Sequence, residues 1–260
     1  MTYNILFLDI DGTILMPNHM YTNSTKEAIQ LVKEQGIEVF LATGRPLHEI
    51  KSLAKELDVH SLIGYNGAYA TYQDETIIDE PMNENNISQF LDLANTHGHE
   101  MVLYTSEKNY FTSLETPVVQ HFIETFKLQN NELYNPTINN QILGATILNL
   151  KDSDSSQYEI DKNIQLSQVN VYGIENCYDV IRKSVNKGQA IKEVLKTRKL
   201  PKEGAIAFGD GMNDKEMLQS VGEGFAMGNA HPDLFAYAKH VTTDVSDSGI
   251  YNGLKTLGVL

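Results

Sequence analysis

The sequence predicts an α/β protein whose parallel sheet is built from both ends of the chain and interrupted by an inserted α+β module. Three observations predict it. Short apolar runs alternate with amphipathic helical stripes as far as Gly67, the same alternation returns after Lys187, and the stretch between them lacks that regularity.

The elements follow in order. ILFL (5 to 8), bounded by Asp9 and Gly12, suits a strand buried on both faces. Ser24 and Glu27 have capping-box spacing, and Ala28, Ile29, Leu31 and Val32 supply an apolar helical stripe that Gly36 ends. IEVFLATG (37 to 44) reads as a second buried strand, and Pro46 opens a helix whose apolar face is Ile50, Leu53, Ala54 and Leu57. SLIGYNG (61 to 67) is a third strand ending in a glycine turn, and YATYQDETIIDE (69 to 80) a hairpin with acids near its turn. From Pro81 to Ser184 the readings are a helix around Ile87 to Asn95, a strand in MVLYTS and a helix from Val118 to Phe126. Further strands are expected in QILGATILNL and LSQVNVYG, with the polar runs QNNELYNPTINNQ and KDSDSSQYE as separators. After Lys187, GQAIKEVLKTRK, NDKEMLQSVG and PDLFAYAK suit helices, while AIAFGD, GFAMG and HVTTD suit strands. The expected division is residues 1–81 with 184–260 as the α/β core and 82–183 as the insert.

Composition removes several functions. Lys and Arg number 20 against 34 Asp and Glu, a formal net charge of −14. Such a chain repels nucleic-acid backbones and anionic lipid, so no nucleic-acid and no membrane partner is expected. An anionic ligand needs a local positive site working against that field. The one cysteine, Cys177, permits no intramolecular disulfide and no cysteine-cluster metal site, and reads as a buried structural thiol. MTYNILFLDIDGT has no basic leader and ends its apolar run on acids, so neither signal peptide nor anchor is expected, and the localisation expected is cytoplasmic. The eight histidines form no metal-binding spacing.

Four segments carry chemistry: DIDGT (9 to 13), ATGR (42 to 45), NKG (186 to 188) and GDGMND (209 to 214). Each lies at the carboxyl end of an expected strand or the start of the next helix, the edge where open parallel sheets hold ligands. Asp9, Asp11, Asp210 and Asp214 would be crowded together there, and crowded carboxylates call for protons or a cation. All-oxygen ligands suit a hard ion such as Mg²⁺. Taken alone, any one of these aspartates is explained as well by a cap or a turn. Lys187 begins a helix, where the dipole disfavours a cation, so an anion would give it a purpose, although a solvated lysine is the plainer reading of that residue alone. Thr43 and Gly44 could offer a hydroxyl and backbone N–H groups to a phosphate, or simply cap a helix. Arg45 could orient a carboxylate, contact substrate or form a structural ion pair, and Tyr104, Tyr110 and Phe111 could line a pocket or pack a core.

In this order and spacing the four segments resemble the motifs of the haloacid dehalogenase (HAD) superfamily, and more narrowly its Cof-like phosphatases, with a large α/β cap inserted between the second and third motifs. GYNGA (64 to 68) and the stretch GFAMGNAHPDLFAYAKHVTTDVSDSGI extend the resemblance to the whole chain. Asn186, where a serine often precedes the lysine, and Ile191, where leucine is common, are its two small departures. The resemblance implies a Rossmann-like core with an inserted cap that selects the leaving group, and Mg²⁺-dependent phosphoryl transfer through an aspartyl phosphate. It assigns Asp9 as nucleophile and Asp11 as general acid and base. Asp9, the Asp11 backbone carbonyl and Asp210 would hold Mg²⁺, with Asp214 a ligand or the neighbour of one. Thr43, Gly44, Lys187 and Asn213 would hold the phosphate. The acid two positions after the nucleophile, absent from dehalogenases and ion-pumping ATPases, favours hydrolysis of a phosphate ester. Small phosphorylated metabolites are the expected substrates, sugar phosphates foremost, with nucleotide, flavin or pyridoxal phosphates as other candidates. A phosphomutase or phosphotransferase keeping the same nucleophile is the nearest rival, and a non-catalytic metabolite sensor a second, against which Asp11 argues.

Overall fold

The computed structural model describes residues 2–169 and 171–260. In chain order the regular elements are β1 (Ile5–Leu8), α1 (Asn23–Glu34), β2 (Glu38–Ala42), α2 (Leu47–Glu56), β3 (Leu62–Gly64), β4 (Tyr69–Tyr72) and β5 (Glu75–Asp79). There follow α3 (Glu84–His97), β6 (Glu100–Tyr104), β7 (Asn109–Phe111), α4 (Pro117–Phe126), β8 (Asn131–Leu133), β9 (Gly144–Leu148), β10 (Ile164–Gln168) and β11 (Tyr178–Arg182). The last are α5 (Lys187–Arg198), β12 (Ala205–Gly209), α6 (Lys215–Gln219), β13 (Glu223–Ala226), β14 (His240–Val241) and α7 (Gly249–Thr256). They fall into two units. The first comprises Met1–Arg45, Ile50–Ile78 and Asn186–Leu260, and the second Pro46–Glu49 and Asp79–Val185.

The first unit holds an eight-stranded sheet ordered β14-β13-β12-β1-β2-β3-β4-β5, parallel from β14 to β3 and turned antiparallel at β4. Every residue of β1 and β12 is buried, as their unbroken apolar runs require of central strands covered on both faces. On one face Ile5, Phe7, Phe40 and Ala207 pack with Ile191, Val194 and Leu195 of α5 and Met217 and Leu218 of α6. On the other, α7 approaches so closely that a Cβ on Gly253 would collide with the Phe208 ring, which stacks on Phe225 with centroids 4.6 Å apart. Gln73 and Asp74, with φ of 48° and 67°, make the two-residue turn between β4 and β5.

The second unit has its own six-stranded sheet, ordered β10-β11-β9-β6-β7-β8, antiparallel except for the β7–β8 pair. Its strands alternate between two cores. Met101, Leu103, Ala145, Ile147 and Val180 pack with Ile87, Phe90 and Ala94 of α3. Val102, Phe111, Leu148 and Cys177 pack with Val119 and Phe122 of α4. Cys177 is a free thiol with 1% exposure, and burial pushes its pKa up to about 11. Tyr104 and Phe111 belong to this packing, Phe111 fully buried.

Several local expectations need correction. Helix α1 is capped by Thr22, whose Oγ1 accepts from Thr25 N at 3.2 Å, because the chain turns two residues before Ser24. The run NDKEMLQSVG splits into a 3-10 turn at Met212–Asp214 and the short α6. PDLFAYAK forms a 3-10 segment, Pro232–Tyr237, that Ala238 ends in extended backbone. The strand read in 166–173 occupies Ile164–Gln168 instead, and Asn170 lies outside the described residues. β7, β8, β11 and α7 were not among the expected elements. Among the described residues no helix is long and apolar enough to cross a membrane.

Candidate active site

Leu8 pairs with Leu41 on one side and Phe208 on the other, so β1, β2 and β12 end level with one another. The residues that follow them, Asp9, Thr43 with Gly44, and Asp210, therefore leave the sheet at one edge, and Asp9 N is anchored there by a 3.0 Å bond to Phe208 O. Lys187 enters the same place as the first residue of α5.

Lys187 has no exposed surface, and its Nζ donates to Asp9 Oδ1 at 2.5 Å and Asp214 Oδ1 at 2.6 Å. Burial alone would favour the neutral amine, but the Asp214 and Asp9 carboxylates outweigh it and raise its pKa. Both carboxylate oxygens of Asp214 are engaged: its Oδ2 accepts from Asp210 N and Gly211 N, both at 3.0 Å, which folds the 209–214 loop around it. Asp9, 5% exposed, has its pKa driven well up by burial and by Asp214, with Lys187 opposing and Asp210 adding to the rise. Burial, then Asp214, push Asp210 up to about 6. Thr13 Oγ1 donates to Asp210 Oδ1 at 3.2 Å. Gly12, at φ +80°, passes so close to the Asp210 carboxylate that any Cβ would collide with it.

Oxygens of Asp9, Asp210 and Asp214 lie within 4.8 Å of one another. Three carboxylates face one ammonium, and two of them resist ionisation. That imbalance and the all-oxygen donor set fit a hard divalent cation.

Asp11 stands apart from this cluster. Its carboxylate is held bidentately by Arg45, Nε donating to Oδ2 at 2.7 Å and Nη2 to Oδ1. Thr43 is buried, and its Oγ1 accepts from Arg45 N at 3.1 Å. Asn213 is exposed, and its Nδ2 donates to Asn66 Oδ1 at 3.2 Å. Sequence reasoning gave no role to Thr13 or Asn66. Thr13 sits inside DIDGT and Asn66 inside GYNGA, and the Asn-Gly pair was the available signal for a left-handed turn there.

A parallel-sheet core with buried carboxylates and one buried lysine on its carboxyl edge is the architecture of an enzyme handling anionic substrates. The chain matches the haloacid dehalogenase-like hydrolases over residues 6–254. It belongs to that family, in its Cof-like branch, and is a phosphatase. It is 31% identical over 260 residues, covering 100% of both chains, to a Bacillus subtilis (strain 168) protein named "Putative phosphatase YkrA". Among solved structures it resembles a protein of Geobacillus kaustophilus HTA426 with a TM-score of 0.91 and 27% identity, over 99% of this chain and 100% of that one. It also shares the fold of the HAD subclass IIB sugar phosphatase BT4131, with a TM-score of 0.83 and 23% identity over 99% and 100% of the two chains.

Proposed function

We propose that the protein is a Mg²⁺-dependent phosphatase of small phosphorylated metabolites, sugar phosphates foremost, working through an aspartyl phosphate on Asp9. The observation that carries the reading is the buried Asp9 carboxylate, anchored by Lys187 at 2.5 Å and crowded by Asp210 and Asp214. One Asp9 oxygen attacks phosphorus as the bond to the leaving oxygen breaks, and Asp11 gives that oxygen its proton. Water then attacks the same phosphorus, Asp11 takes the water's proton, and the bond to Asp9 breaks. For Asp11 to do this its bidentate pair with Arg45 must part, since both of its oxygens are engaged there. Lys187, Thr43, Gly44 and Asn213 hold phosphoryl oxygens and so oppose the repulsion between a carboxylate and a phosphate dianion. Asp9, the Asp11 carbonyl, Asp210 and Asp214 are the groups proposed to hold Mg²⁺, which supplies charge neutralisation at the phosphoryl group when bound. The shared fold of BT4131, a sugar phosphatase, supports that substrate class for this chain.

The test is phosphate release from a panel of sugar phosphates, nucleotides and an aryl phosphate, with Mg²⁺ and with chelator. Release that chelator stops and Asp9→Asn abolishes is the expected result. Release that survives Asp9→Asn would remove the covalent mechanism, and no release from any member would remove the hydrolase reading.

A further inference from the structure

Strand β3 ends in a turn to which the proposed chemistry gives no task. Tyr65, Asn66 and Gly67 take φ of 53°, 53° and 108° in succession, backbone that residues with a Cβ adopt only at a cost. Backbone bonds tie it to the segment after β2: Asn66 N donates to Thr43 O at 3.1 Å, and Tyr65 N to Arg45 O at 3.2 Å. The effect is to place the Asn66 side chain between two segments of the phosphate site. Its Oδ1 accepts from Asn213 Nδ2 at 3.2 Å. Its amide also packs on Gly44, where a Cβ would lie 3.1 Å from Oδ1 and 3.2 Å from Nδ2. Thr43 and Gly44 follow β2 while Asn213 follows β12, and β1 separates those strands in the sheet. Asn66 thus joins segments that no strand pairing joins.

We propose that Asn66 is a positioning residue of the phosphate site, fixing the exposed Asn213 amide at a set distance from the Thr43–Gly44 turn. The inference rests on the phosphatase reading above. With one N–H of Asn213 committed to Asn66, the amide plane is set before a phosphoryl group arrives, and less freedom is lost on binding. The left-handed backbone at Asn66 is what aims its side chain, which gives the strain a use.

A double-mutant cycle tests this. Asn66→Gly removes the amide while accepting the positive φ, so the thermal midpoint is expected to hold or rise. Asn66→Ala, which keeps a Cβ, is the second variant should the glycine loosen the turn. The probe is inorganic phosphate, titrated calorimetrically with Mg²⁺ present, alongside KM and kcat for an aryl phosphate. Each variant is expected to weaken phosphate about three- to tenfold, the scale of one hydrogen bond, and to raise KM more than it lowers kcat. In an Asn213→Ala background the same substitutions are expected to do nothing further, because the amide they orient is gone. Unchanged phosphate affinity, or an equal loss in both backgrounds, would overturn the proposal. If the unaltered protein binds phosphate but hydrolyses no ester, the phosphatase reading fails while the cycle still reads. If it binds no phosphate, both fall.

Discussion

Burying a lysine completely is tolerated only where carboxylates meet it, and Lys187 meets Asp9 at 2.5 Å and Asp214 at 2.6 Å. Removing it leaves two buried carboxylates facing each other. Lys187→Met is therefore expected to cost about 3–5 kcal/mol in urea unfolding with chelator present, and to lower phosphate release by roughly a hundredfold or more. Stability unchanged and a rate within tenfold would contradict the assignment. The same crowding sets a pH dependence. Asp210 has its pKa raised from 3.8 to about 6, by burial first and then by Asp214. In that window the folded state binds more protons than the unfolded one, so this group's contribution is fully present below the unfolded value and lost as pH rises through about 6. With chelator present, Asp210→Asn is expected to flatten the fall in stability between those limits. A fall of the same size in the variant would place its origin elsewhere. The aspartates were legible in sequence because they recur in short segments after two apolar strands, and Lys187 only through the order and spacing of the four segments, since alone it reads as a solvated lysine. Thr13 and Asn66 were not, since a lone hydroxyl or amide announces no partner, and theirs, Asp210 and Asn213, lie far along the chain.

At the scale of elements, the legible ones were those whose burial is continuous or strictly periodic, such as β1, β12 and α5. β11 was missed because YDVIR mixes charges into the strand, its apolar Tyr178 and Val180 facing one core while Asp179 stays exposed. α7 was missed because GIYNGLKT carries two glycines, poor helix formers that are kept where Gly253 must meet Phe208. The α1 cap gives a clean contrast. Thr22→Ala is expected to cost about 1 kcal/mol, whereas Glu27→Ala, on an exposed side chain outside the cap, is expected to cost less than half as much. Equal losses in thermal unfolding would restore the Ser24–Glu27 capping box. The start of α5 is set more tightly still. A Cβ on Gly188 would lie 2.7 Å from Glu216 Cβ and nearer to that residue's backbone. Gly188→Ala must push α5 from α6 and move Lys187 with it, at a cost of about 1–3 kcal/mol. Phosphate affinity is expected to fall alongside stability, and a variant that loses stability but keeps its affinity would show that Lys187 is positioned independently of this contact.

Across the whole molecule, the site depends on segments 178 positions apart, Asp9 and Lys187, that become neighbours only when β12 pairs beside β1. Pairing over that distance has a large loop-closure cost, and the second unit, with two apolar cores of its own, shortens the gap if it folds by itself. A ligand that binds the carboxylate cluster ties both ends of the chain together and stabilises the unit they form. With Mg²⁺ at a hundredfold excess over its dissociation constant, the gain is about 2.7 kcal/mol, and a net charge of −14, by attracting the cation at long range, lowers the concentration at which that excess is reached. Amide hydrogen exchange reads where that gain falls. Added Mg²⁺ is expected to slow exchange in β1, β2 and β12 while leaving β6, β9 and β11 at their former rates, and to slow none of these strands in Asp210→Asn. Equal protection of both sheets would instead mean that the chain opens as one cooperative body, with the insert's folding tied to the cation rather than carried by its own cores.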